Sequence, residues 1–351
     1  MDYYSGYRKK CKALAMELLY HDTLTMAVLL PVASGKGGVG KSIVAANLAV
    51  ALALHGKTTI LVDLDLGASN LHTLLGIKNR YNGIGAFVYR QETSLEALLK
   101  ETEISHLFFI PGDTLLPGTA NMDFFVKQKI IRLLYQLPAD YIIMDLGAGS
   151  AYNTVDFFLS SSSGLIVTIG ESTAILNAYS FLKTLLYRAL QRSFPPRSPA
   201  RGTITTFFSK KIEGTSETFP VLEQQLLSSF GQEAQKAIEQ VKGLYPRIIL
   251  NMSDGPQDLQ IGIRLREIAA KNLRLGLEYI ACLPRDPAVI QSVAVRRPVL
   301  LLAPDCPFSS HLRALADRLI AHPEPHVQGA RDPLSLFPGN EDILAASHLQ
   351  A

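Results

Sequence analysis

Gly35-Lys36-Gly37-Gly38-Val39-Gly40-Lys41-Ser42 constrains this chain more than any other stretch of its sequence. The spacing G-x-x-x-x-G-K-[ST] follows a β-like run, Ala27–Ala33, and precedes a helically spaced run, Ser42–His55. It predicts a strand, a tight loop and a helix. Glycines let the loop backbone curl until successive N–H groups face one cavity, and the helix N-terminus adds positive potential there. Lys41 can reach the outer phosphates of a bound nucleotide, and the Ser42 hydroxyl can ligate Mg²⁺. The expected nucleotide-binding set runs through Gly35, Lys36, Gly37, Gly38, Val39, Gly40, Lys41, Ser42 and Ile43.

Such a site needs a second metal-side carboxylate at the end of a buried strand. Tyr141-Ile-Ile-Met-Asp145 supplies one, with Gly147 and Gly149 just beyond it. Further β-like runs lie at Thr58–Asp63, Leu107–Pro111, Leu165–Ile169, Arg247–Asn251 and Leu277–Leu283, with helical spacing at Phe124–Leu137, Ala174–Leu190 and Asp258–Leu273. The strand runs are continuously apolar instead of alternating, the signature of strands covered on both faces. The expected class is α/β: a three-layer P-loop NTPase fold, a mostly parallel central sheet with helices on both faces, in a single domain with an insertion.

Composition agrees. The 351 residues are 48% hydrophobic and 19% charged, which excludes a disordered acidic or basic chain. No run reaches the roughly 18 apolar residues of a membrane span. Three cysteines without motif spacing, Cys11, Cys282 and Cys306, support neither a disulfide framework nor a metal cluster. The expected location is cytoplasmic, with peripheral attachment at the inner face of the membrane as the alternative.

The folded domain is expected over 26–322, with an insertion at about 191–245 that opens on a Pro/Ser/Arg loop and carries a helix from Val221 onward. Residues 1–25 read as an N-terminal extension, either an amphipathic surface helix or a leader foreign to the fold. Residues 323–351 read as a flexible C-terminal tail. From Ser172 to Ile212 there is no acidic residue, yet seven basic ones: Lys183, Arg188, Arg192, Arg197, Arg201, Lys210 and Lys211. That run is either a solvated face or a surface for an anionic partner.

The loop resembles the deviant phosphate loop K-G-G-V-G-K-[ST] of the MinD/ParA family of P-loop ATPases, whose second lysine falls at Lys36. Leu61-Val-Asp63-Leu-Asp65-Leu-Gly67-Ala-Ser-Asn70-Leu71 is similar to that family's switch I, and Asp140-Tyr-Ile-Ile-Met-Asp145-Leu-Gly147-Ala-Gly149 to its switch II. Ile249-Leu-Asn251-Met and Leu283-Pro284-Arg285-Asp286 resemble its adenine-side elements. Gly170-Glu-Ser-Thr-Ala-Ile-Leu-Asn-Ala-Tyr-Ser-Phe-Leu-Lys183 is similar to a segment of the FlhG-like, MinD-related branch, with Gly170 and Ser172 where that pattern has prolines.

The resemblance implies an ATPase of low intrinsic turnover that binds ATP and Mg²⁺, dimerises with ATP, and regulates the position or number of a structure of the flagellum or division-site type. It implies that Lys36 crosses into the partner subunit's site in the manner of an arginine finger, that Asp65 positions the attacking water, and that Lys41 completes the catalytic set. It implies Asp145 on a Mg²⁺-bound water, Asp63 near the phosphate loop or Mg²⁺ shell, and Gly147 sensing the terminal phosphate. Asn251, Pro284 and Arg285 would border the adenine. Plainer roles stay open: Lys36 serving its own subunit's phosphates, either aspartate capping a helix, and Asn251 as a turn residue. A protein partner that stimulates hydrolysis is expected. A basic-surface DNA-partition ATPase is one competing reading, and a nucleotide-binding scaffold without appreciable hydrolysis another. The C-terminal stretch Glu341–Leu349, with two acids and no Lys or Arg, makes a poor membrane anchor.

Overall fold

A computed structural model describes residues 27–66, 69–78, 82–112, 122–209, 218–255 and 257–323. The expected N-terminal extension, the C-terminal tail from residue 324 onward, Gly67, Lys210 and Lys211 lie outside the described residues.

Eight strands form one sheet: β1 (Val28–Ala33), β2 (Thr59–Leu64), β3 (Lys100–Glu101), β4 (Leu107–Ile110), β5 (Tyr141–Leu146), β6 (Leu165–Ile169), β7 (Arg247–Ser253) and β8 (Glu278–Pro284). Their order is β3-β4-β2-β5-β1-β6-β7-β8. Every pairing is parallel except that of β3 with β4, an antiparallel edge. The α/β expectation and its seven strand runs are met. The two-residue β3 was missed because it has no apolar run to announce it.

The principal helices are α1 (Lys41–Leu54), α2 (Leu71–Leu74), α3 (Ile84–Val88), α4 (Phe124–Tyr135), α5 (Tyr152–Phe158), α6 (Ser172–Ser193), α7 (Pro199–Ser209), α8 (Phe219–Lys242), α9 (Gln257–Leu273), α10 (Pro287–Val295), α11 (Val299–Leu302) and α12 (Pro307–Ala321). Two cores flank the sheet. Val44, Leu48 and Leu52 of α1 pack with Leu312 and Leu319 of α12 on one face; Ile130 of α4, Phe157 of α5, Leu182 of α6 and Leu265 of α9 pack on the other. Helix α1 is buried on all sides between sheet and α12, which explains its run of alanines and small apolar residues.

Strand alternation sorts the two cores. Leu61 and Ile143 face α1, whereas Ile60, Val62, Ile142 and Met144 face away. The same parity directs Asp63 and Asp145 towards α1, and the register makes them direct neighbours on β2 and β5.

Between α6 and β7 stand α7 and α8. Helix α7 begins inside the stretch that reads as a Pro/Ser/Arg loop. Pro199 occupies its first turn, where a missing N–H costs nothing, and Ser198 Oγ accepts from Ala200 N at 3.3 Å. Arg201 then donates from Nε and Nη2 to the Phe194 carbonyl at 2.9 and 2.7 Å, closing the C-terminal end of α6. Tyr187 and Phe208 meet edge to face with ring centroids 5.1 Å apart.

Candidate functional site

The loop after β1 reaches the first turn of α1 through two left-handed residues, Gly38 and Gly40, both at φ 82°. Side chains are strained in that region, so the glycines are structural requirements here. Gly40 is also the N-cap of α1, and no side chain caps the helix. The first N–H groups of α1 are therefore left for an external acceptor.

Beneath this loop the predicted carboxylates converge on one buried ammonium. Lys41 Nζ lies 2.5 Å from Asp145 Oδ1, 3.9 Å from Asp65 Oδ2 and 3.3 Å from Ser42 Oγ. Burial pushes the Asp145 carboxyl upwards, while the Lys41 ammonium and the Ser42 hydroxyl pull it back. Its second oxygen, Oδ2, is buried without a hydrogen-bond partner. A buried carboxylate oxygen with spare lone pairs beside a serine hydroxyl is the donor set of a hard cation such as Mg²⁺, so the residues fit that ion.

Asp63 is used differently. Its Oδ2 accepts from Ser69 Oγ at 2.7 Å and Leu71 N at 3.3 Å, and its Oδ1 accepts from Asp65 N at 3.1 Å. It thus ties the end of β2 to the start of α2. Burial, then the neighbouring Asp145 charge, pushes its carboxyl up to about 7. Gly112 backs this knot closely: a Cβ there would lie 2.9 Å from Ser69 Oγ and 3.0 Å from the Asp63 carboxyl carbon.

Asp65 and Gly147 face each other, since a methyl group on Gly147 would sit 3.5 Å from Asp65 Oδ1. Gly149, at φ 82°, donates its N–H to the Ser34 carbonyl at 2.8 Å and joins the β5 loop to the phosphate loop. Lys36 points away from this centre. Its Nζ contacts Glu171 Oε2 at 3.3 Å and Thr173 Oγ1 at 3.4 Å, at the start of α6. Gly35 abuts that helix, because a Cβ on it would fall 2.3 Å from the Asn177 backbone.

On the other side, Asn251 is buried at the end of β7 and donates Nδ2 to the Val39 carbonyl at 2.9 Å. Its amide supports the phosphate loop. Pro284 ends β8, and exposed Arg285 pairs with Asp254 at 2.9 Å. Sequence reasoning passed over Ser34, Ser69, Gly112 and Glu171. Only Glu171 and Ser69 fall in stretches whose pattern it had noted, and none carries a motif of its own.

Four of the five described cations in the basic run after Ser172 make contacts within the chain. Lys183 lies over the Phe208 ring at 5.8 Å, Arg188 on Asp156 at 2.7 Å, Arg192 over Phe124 at 5.7 Å, and Arg201 on the Phe194 carbonyl at 2.9 Å.

A family model described as the CobQ/CobB/MinD/ParA nucleotide binding domain matches residues 30–299. The flagellum site-determining protein YlxH of Helicobacter pylori is 36% identical over 160 residues, 44% of this chain and 52% of that protein. The septum site-determining protein MinD of the same bacterium is 33% identical over 153 residues, 43% of this chain and 56% of that protein. The chain thus spans about half the length of the curated relatives it matches. Among solved structures, the cell division ATPase MinD of Pyrococcus furiosus superposes with a TM-score of 0.59 at 19% identity, over 84% of this chain and 99% of that one. MinD of Pyrococcus horikoshii, complexed with Mg-ADP, gives 0.58 at 20% identity over 86% and 100%. These structures share the fold.

Proposed function

The chain belongs to the CobQ/CobB/MinD/ParA nucleotide-binding family, and from that membership we propose that it is an ATP-driven switch. It binds ATP, hydrolyses it slowly to ADP and phosphate, and forms a face-to-face homodimer while the triphosphate is intact. The observation that carries this reading is Lys41, whose buried ammonium is shared between Asp145 and Asp65 beneath a loop of left-handed glycines.

Each residue then has a task. The backbone N–H groups from Gly37 to Ile43 cradle the phosphates, and Lys41 turns from its carboxylates to the outer phosphates. Ser42 and Asp145 would hold Mg²⁺, whose charge would neutralise the phosphate oxygens. Asp65, facing Gly147 and only partly buried, orients the water that attacks the terminal phosphorus; the bond to the bridging oxygen breaks and ADP leaves. The Gly147 N–H reports whether that phosphate is present. Lys36 leaves Glu171 and reaches the partner subunit's phosphates, placing positive charge where negative charge shifts. Asn251 holds the loop from behind, with Pro284 and Arg285 bordering the base.

By analogy with relatives named for flagellum and septum site determination, the switch sets the position or number of a cellular structure, and a protein partner stimulates its hydrolysis. The DNA-partition reading finds less support, because among the described cations of the basic run Lys183, Arg188 and Arg201 are engaged within the chain. Two measurements test the proposal. Calorimetry should register Mg-ATP binding, and phosphate release should fall to background in Asp65→Ala while binding persists. Equal turnover in wild type and Asp65→Ala would leave a binding scaffold and remove the switch.

A further inference from the structure

On the sheet face opposite α1, the start of α4, the start of α5 and the last turns of α6 bring positive charge and aromatic rings together. Asp156 of α5 is fully buried and serves two cations. Lys127 Nζ reaches its Oδ2 at 2.6 Å, and Arg188 forks onto both oxygens at 2.7 and 2.9 Å. Burial opposes ionisation of this carboxyl, but the bonds from Arg188 and Lys127 outweigh it and hold Asp156 below the ordinary range. One carboxylate thus answers two cations.

Arg192, four residues after Arg188 on α6, adds a third positive charge. Its guanidinium lies 5.7 Å from the Phe124 ring centroid, and its Nη1 is buried without a hydrogen-bond partner. Gln128 of α4, four residues from Phe124, also carries a buried Nε2 without a partner. No acidic residue occurs between Ser172 and Ile212; besides Asp156, the carboxylate at this patch is Asp123, which caps α4 by accepting from Phe125 N at 2.8 Å. Three cations, Lys127, Arg188 and Arg192, thus face two carboxylates, and two donors, Arg192 Nη1 and Gln128 Nε2, have no hydrogen-bond partner.

Its rim is aromatic and open. Phe125 is 79% exposed, Tyr152 55% and Phe124 39%. Phe124 and Phe125 meet edge to face at 5.9 Å, and Arg188 covers the Tyr152 ring at 4.9 Å. Exposed aromatics beside arginine are the residue types that anchor protein interfaces. A phosphate backbone or a lipid surface would want a spread of free cations. Here Lys127 is only 4% exposed and Arg188 is committed to Asp156.

We propose that Phe124, Phe125, Tyr152 and Arg192 form a docking surface for an acidic segment of a partner protein. A carboxylate side chain of that segment meets Arg192, and an apolar or aromatic neighbour packs on the phenyl rings. The surface stands whether or not the chain hydrolyses ATP.

The probe is a fluorescein-labelled random copolymer of glutamate and tyrosine, titrated by anisotropy against the full chain without nucleotide. Wild type should bind it saturably, more tightly than poly-glutamate, with affinity falling at about 0.3 M salt. Phe125→Ala and Arg192→Gln should each weaken binding by roughly tenfold, with unchanged circular dichroism. Absence of binding by wild type, or equal affinity in either variant, overturns the proposal. Tighter binding of duplex DNA or phosphatidylglycerol vesicles, lost in the same variants, also overturns it and assigns the surface to that anion.

Discussion

Asn251, at the end of β7, donates its side-chain amide to the Val39 carbonyl inside the phosphate loop, across 2.9 Å and 212 positions of sequence. The bond is buried, and Gly40 leaves room for it, since a Cβ there would lie 2.3 Å from Asn251 Nδ2. Loop curvature is therefore held from β7, two strands along the sheet from β1, as well as by its own glycines. Replacing Asn251 with Ala orphans a buried carbonyl, which costs about 1–3 kcal/mol. Urea unfolding should show that loss, and the affinity for Mg-ATP should fall with it.

Lys36→Ala should separate stability from function. The pair with Glu171 is half-exposed on both sides, and such pairs contribute about 0–1 kcal/mol. The melting temperature should stay within about 2 °C of wild type. ATP-dependent dimerisation, followed by light scattering after size exclusion, should disappear, and phosphate release with it.

Asp63 gives a pH signature. Its carboxyl is raised to about 7 by burial and by Asp145. Native protein keeps a proton there that the unfolded chain releases above pH 3.8. The contribution is favourable at low pH and is lost as pH climbs through that interval towards the folded value. Denaturation in EDTA between pH 5 and 8 should give stability that declines with pH at this site. Asp63→Asn should flatten the slope, whatever it does to absolute stability through the bonds from Ser69, Leu71 and Asp65.

Gly35→Ala tests the contact between loop and helix. The added methyl meets backbone atoms of Asn177 at 2.3 Å, and backbone cannot swing aside as a side chain can. Overpacking of this kind costs about 1–3 kcal/mol. Thermal unfolding should report the loss. Gly37→Ala, with nothing within 4 Å of the new methyl, is the control and should unfold near wild type.

Much of this architecture was legible because strands covered on both faces are written as unbroken apolar runs, and seven of the eight strands are of that kind. Strand β3 is Lys-Glu, paired antiparallel with β4, and no periodicity can reveal two residues. The start of α7 was hidden by prolines that ordinarily break helices; its Ser198 cap and first-turn Pro199 become visible only with the backbone. At the site, residue types and spacing foretell which groups gather, as Lys41, Ser42 and Asp145 do. They do not foretell partners set by sheet register or distant packing. Asp63 sits beside Asp145 because β2 and β5 pair in that register, and Asn251 turns to Val39 because β7 ends beside the loop.

Helix α6 touches the phosphate loop at one end and is pinned by Arg201 at the other. Its 22 residues make a stiff bar of roughly 33 Å at the usual rise of a helix. Pivoted near Asn177, the part of the bar beyond that point is roughly 24 Å long, so a tilt of about 5° sweeps its distal tip through roughly 2 Å. Any tilt of α6 about its contact with Gly35 would therefore be largest where the helix meets α7 and α8. Those two helices sit where the gearing is longest.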